Sequence, residues 1–194
     1  MIAIVLSLAT LTSTWCGYQS RAWGSIAGSH AGKADTSERQ AAENTIVALQ
    51  VRTQDGLILL EYWRALRTGD EKTAEIALSH MPERLRVAVK AALADGILKD
   101  PSVPGPMHRA EYVIEEERKA ADERAAAKSL HSTAHEAGGH SDAYVLLTLM
   151  FASILFFGGI SGTFSTKGIR MALASVAMLL FAIAVSVLFT LPVA

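Results

Sequence analysis

Ionised side chains are concentrated in the middle of this chain. All 19 acidic and 16 of the 18 basic residues fall between Arg21 and Asp142, and only Lys167 and Arg170 lie outside that window. Few folds accommodate such a division. An uncharged run of about 20 residues, rising about 1.5 Å per residue as a helix, matches a hydrocarbon layer about 30 Å thick. Tyr144 to Thr163 ("YVLLTLMFASILFFGGISGT") is such a run, and Ile169 to Pro192 is a second, with Arg170 at its start. Soluble cores of this size seldom contain two. The expected class is all-α and membrane-embedded, with a soluble insertion.

The N-terminal stretch Met1 to Tyr18 is apolar but short, and it lacks the basic start and small-residue cleavage site of a secretory signal. Cys16 follows Trp15, where a lipoprotein anchor would need a small residue. The better expectation is a third span. Trp15, Tyr18, Gln19 and Trp23 recur at i, i+3, i+4 and i+8, so they are expected on one helix face at the headgroup level, with Tyr144 as the matching anchor of the next span. The expected segments are residues 1–23, a helical soluble domain over 24–141, a span over 142–165, and a short basic turn plus last span over 166–194. Three spans put the soluble domain and the short turn on opposite sides. Lys167 and Arg170 favour a cytoplasmic turn, hence an extracytoplasmic domain and a bacterial inner-membrane location.

Within the middle, "GSIAGSHAGK" reads as a flexible Gly/Ser stretch, and Ser37 with Gln40 as a capping box that starts a helix. Ile46, Leu49, Leu60 and Trp63, with Thr53 and Gly56 between them, form an imperfect helical stripe expected to face a core. "TGDEKT" predicts a turn, then a short helix to His80. Pro82 opens another helix, Glu83 to about Ala94, with Leu85, Val89 and Ala92 inward. "KDPSVPGP" interrupts the chain. A long charged helix is expected from about Met107, with i,i+4 pairs Glu115–Lys119, Arg118–Asp122 and Lys119–Glu123 on a solvated face.

"HEAGGH" (135–140) resembles a zinc-protease signature, but that chemistry needs histidines four residues apart on one helix. His135 and His140 are five apart, about 140° out of line round a helix, with Gly138 and Gly139 between them. His131 and His135 do have the four-residue spacing, and a metal would need further ligands such as Glu136, His140 or Asp142. They are weak metal candidates. The plainer expectation is a polar linker ahead of the membrane. Cys16 stands alone, so no intrachain disulfide forms. There is no phosphate-binding glycine loop and no nucleophile elbow, and the spans hold no ionised interior group of the kind ion-coupled transport uses. No catalytic residue and no cofactor is expected. The near-zero net charge gives no argument for nucleic acid. Gly158 and Gly162 form G-x-x-x-G, and Ala182 with Ser186 offers a similar small face. Both are expected to pack the closing hairpin, with self-association as the alternative.

"TSTWCGYQSRAWG", "SDAYVLLTLMFASILFFGGISGTF" and the closing "LP" together resemble a group of uncharacterised bacterial three-span membrane proteins. In that group a Trp-x-x-Tyr-Gln-Ser-x-x-Trp-like patch ends the first span, followed by a helical domain and a hairpin. The resemblance implies architecture and transfers no activity. The leading expectation is a non-enzymatic scaffold or accessory subunit in the lipid bilayer, its helical domain binding a protein partner or a sister copy. Alternatives are a metal enzyme or sensor centred on His131 and His135, and an oligomeric small-solute channel or transporter.

Overall fold

The computed structural model describes residues 2–100 and 102–194. Five α-helices follow one another: α1 (Ile2–Thr68), α2 (Glu71–His80), α3 (Glu83–Ala94), α4 (Glu115–Ser161) and α5 (Lys167–Leu188). A short 3-10 turn, Pro106–His108, precedes α4, and no strand occurs among the described residues. Both α4 and α5 are long and apolar enough to cross a membrane. The chain divides into two compact units, one of Met1–Asp35 with Lys128–Ala194 and one of Thr36–Ala127.

The first unit packs three helices around one apolar cluster. Tyr144, Leu147, Phe151 and Ile154 on α4 recur at i, i+3, i+7 and i+10. They meet Ala9 and Cys16 of α1 and Ala177 and Ala184 of α5, each of these pairs seven residues apart. That spacing keeps one seam of each helix against its neighbours. Within this unit α1 and α4 run antiparallel: Ser20 reaches Ser141, while Gly158 faces Leu6. Large apolar side chains also face outward, with Ile4, Leu8 and Leu11 exposed on α1, Leu146, Leu149 and Phe156 on α4, and Leu179 and Ile183 on α5.

The second unit has an ordinary division between wet and dry. Leu59, Tyr62 and Ala65 of α1, Ala74 and Ala77 of α2, Leu85, Ala88 and Val89 of α3, and Tyr112 and Ile114 form its core. Gly69 and Gly96 end α1 and α3 with φ of 73° and 82°. There they close Schellman-type caps through Asp70 N–H to Ala65 O and Ile97 N–H to Ala92 O. Asp70 caps α2 by accepting the Thr73 amide at 3.0 Å. The Thr73 hydroxyl and amide together hold the Asp70 carboxyl below its usual range. Here too α1 and α4 are antiparallel, with Arg124 on Thr45 and Arg52 on Glu117. Buried Ala41, Ala48, Ala120 and Ala127, spaced by seven on each helix, allow close backbone approach.

Several expectations change. The Gly/Ser stretch is helical throughout, so Ser37 and Gln40 lie inside α1 and start nothing. The histidine-rich segment is not a linker but part of α4, including Gly138 and Gly139. The helix runs through both glycines despite a penalty of about 1 kcal/mol per residue. Helix α4 begins at Glu115, eight residues after Met107, because Arg109–Ile114 is irregular. Arg118 bonds Glu115 at 2.6 Å, an i,i+3 pair. On α1 the stripe of Ile46, Leu49 and Leu60 is exposed rather than inward, while Gly56 lies beneath Met107.

Candidate functional site

Four places could carry chemistry or recognition. The first is the end of the first unit where α1 and α4 bring polar groups inward. Gln19 is fully buried, and its Oε1 accepts the Ala194 amide at 2.9 Å while its Nε2 has no partner. The Ser141 hydroxyl donates to Ser20 O at 2.9 Å. The Trp23 indole and the Tyr144 hydroxyl both donate to Pro192 O, at 3.2 and 3.0 Å. The two donors latch the segment after α5 onto α1 and α4. Of the four residues expected on one interfacial face, the structure separates two pairs. Trp15 and Tyr18 point outward with ring centroids 5.8 Å apart, while Gln19 and Trp23 turn inward. Tyr144, expected as an exposed anchor, is buried.

The second place holds the histidine candidates. His131, His135 and Asp142 line a shallow groove in the first unit, opposite Ala27, Gly28 and Ala31. Helix α4 supplies the shared face that the four-residue spacing requires. His131, His135 and Asp142 do not gather their ligand atoms within 4.8 Å of one another. His140 turns away to the Trp23 ring, centroids 4.7 Å apart. The groove therefore offers no assembled ligand set from these three.

The third is a buried ionic cluster in the second unit, which sequence reasoning missed. Asp55 on α1 is 1% exposed. It accepts two hydrogen bonds from the Arg84 guanidinium of α3, at 2.8 and 3.0 Å, and one from the Tyr112 hydroxyl at 2.8 Å. Burial, then the bond to the adjacent carboxylate, pushes the Tyr112 phenol up to about 12. A phenol held protonated so firmly is a donor and not a base. Both carboxylate oxygens of Asp55 accept donors from elsewhere in the unit, Oδ2 two and Oδ1 one, so the cluster ties α1 to α3 and to the segment entering α4. Its signal in sequence is slight, since the partners lie 29 and 57 residues away.

The fourth is an open groove of about 550 Å³ in the second unit, lined by Leu60, Trp63, Arg64, Leu66, Arg67 and Leu98. Leu60 and Leu98 are 56% and 67% exposed. Large apolar side chains held in water at this density mark binding surfaces. The groove continues the exposed stripe of Ile46, Leu49 and Leu57 along α1, the stripe whose period is helical but whose neighbours are solvent.

Of the remaining candidates, Gly158 is buried, and a Cβ placed there would sit 2.5 Å from Leu6 Cδ2. The glycine thus receives Leu6 of α1. Gly162 falls in the turn beyond α4. On α5 the inward small residues are Ala177 and Ala184, whereas Ala182 and Ser186 face out. The chain matches no protein-family model, no curated protein and no solved structure.

Proposed function

We propose that this chain is a three-span integral membrane protein whose helical unit docks a protein partner, acting as a scaffold or accessory subunit without catalysis of its own. The observation that carries the reading is the inversion between its two units. Along its uncharged stretches the first exposes leucine, isoleucine and phenylalanine, and it turns Gln19, Ser20 and Ser141 inward, as a body solvated by lipid does. The second exposes charge and keeps one apolar face unsatisfied. The apolar part of α1 ahead of Gln19 supports a first span of about 25 Å beside α4 and α5. Lys167 and Arg170 at the start of α5 support a cytoplasmic turn, which puts the helical unit outside the cytoplasm of a bacterial inner membrane.

Purification in mild detergent tests the docking reading. A complex heavier than one chain, dissociated by replacing Leu60 with Asp, is the expected result. A strict monomer with no bound protein would overturn it.

A further inference from the structure

The groove in the second unit carries a more specific reading, which rests on the docking function just proposed. Its apolar lining comes from three residues of α1, Leu60, Trp63 and Leu66, and from Leu98 beyond α3. The only charged residues lining it are Arg64 and Arg67, with no acid among them. Arg64 reaches Glu61 at 3.1 Å in an exposed pair, and both side chains are at least half in water. Such a pair contributes little and yields readily to a competing carboxylate. Arg67 forms no ion pair among the described residues.

The stripe leading into the groove has the spacing of a coiled-coil seam. Ile46, Leu49, Thr53, Leu57 and Leu60 advance by three or four residues and are all exposed. A helix laid along such a seam inserts its own apolar residues between these and presents its flanking positions to the arginines.

Charge selects the occupant. A second copy laid groove to groove would bring the same two arginines, Arg64 and Arg67, to the contact from both sides. Like charges so placed oppose pairing. A helix carrying carboxylates beside its apolar stripe meets the same arginines favourably. We infer that the groove formed by Leu60, Trp63, Leu66 and Leu98, with Arg64 and Arg67 at its edge, is a docking site for an acidic amphipathic helix of a partner protein.

The test uses the full chain in lipid nanodiscs and two fluorescent peptides of about three heptads, both with leucine at the seam positions. One carries glutamate at the flanking positions and the other lysine. Fluorescence anisotropy is expected to show the glutamate peptide binding at least about tenfold more tightly, with the preference weakening as salt rises. R64E/R67E reverses the preference and R64Q/R67Q abolishes it, and both substitutions are at exposed positions where folding is tolerant. Equal binding of the two peptides, or an unchanged preference in R64E/R67E, overturns the inference. A disulfide between two L60C chains, formed in a C16A background, overturns the acidic partner while leaving a docking function in place. A chain that stays monomeric and binds neither peptide overturns both.

Discussion

The two units use one helical period against opposite surroundings. In the first, the residues between the helices are alanine, cysteine, serine and glutamine as well as large apolar groups, and large apolar groups also face outward along the uncharged stretches. In the second, the inside is apolar except for Asp55, and that carboxylate is met by three hydrogen bonds. A polar group between helices in lipid needs only a partner close by, because the competing surroundings offer none. A carboxylate between helices in water must match the hydration it gave up, and it does so with a two-pronged guanidinium and a phenol. On the membrane reading proposed above, the difference lies in the solvent each unit answers to, although both contain parts of α1 and α4.

The largest break in that comparison comes from Arg84→Ala. It leaves the Asp55 charge buried with one donor, which costs about 3–5 kcal/mol. Amide hydrogen exchange across Glu83–Ala94 should accelerate accordingly, while α5 is unchanged. Asp55→Ala should cost less, because the freed Arg84, a third exposed, can reach water. Equal exchange in wild type and R84A would mean that the second unit does not depend on the cluster.

Gly158→Leu acts on the other unit. It places side-chain atoms where Leu6 Cδ2 already sits, and overpacking of this kind costs about 1–3 kcal/mol. The thermal midpoint in detergent should fall and should partly recover in Gly158→Leu/Leu6→Ala. Absence of recovery would place the strain elsewhere.

Tyr112→Phe is the mildest, removing one hydrogen bond worth about 1 kcal/mol. Its sharper signature is in pH. The folded phenol titrates near 12 against 10.0 for an unperturbed tyrosine, so the folded state favours the protonated form. That stabilisation is complete below pH 10 and is lost as pH rises through about 12. The wild-type stability profile should fall across this window more steeply than that of Tyr112→Phe, and parallel profiles would contradict the donor role.

The elements written most plainly in the sequence are those whose ends carry their own punctuation. The helix Glu83–Ala94 was legible because Pro82 opens it, and its inward Leu85, Val89 and Ala92 are large or periodic enough to read. The turn at Gly69 was legible for the same reason. The continuity of α1 and α4 was not. Gly24 is placed against Ser141 Oγ, 3.4 Å from its would-be Cβ, but a Cβ at Gly28, Gly138 or Gly139 would meet nothing within 4 Å, so no local contact announces the helix there. The buried face of α1 was misread because Ala41 and Ala48 are quiet, whereas Ile46 and Leu49 are conspicuous and stand in water. Asp55 gave no sign of burial. Its reason for being inside lies on other helices, and local pattern does not carry that information. Of the sites, the spacing of His131 and His135 was legible, but the groove at Leu60 and Trp63 was hidden by taking their stripe for core.

The most direct measurement is the sidedness of single cysteines at Ser79 and Ser165 in a Cys16→Ala background, probed in intact cells with a reagent that does not cross membranes. Both positions are exposed, so each is open to reagent on its own side. The account predicts labelling of position 79 from outside and of position 165 only after lysis. Labelling of both from the same side would contradict a crossing by α4, which alone separates the two positions, and with it the membrane body on which the docking role stands.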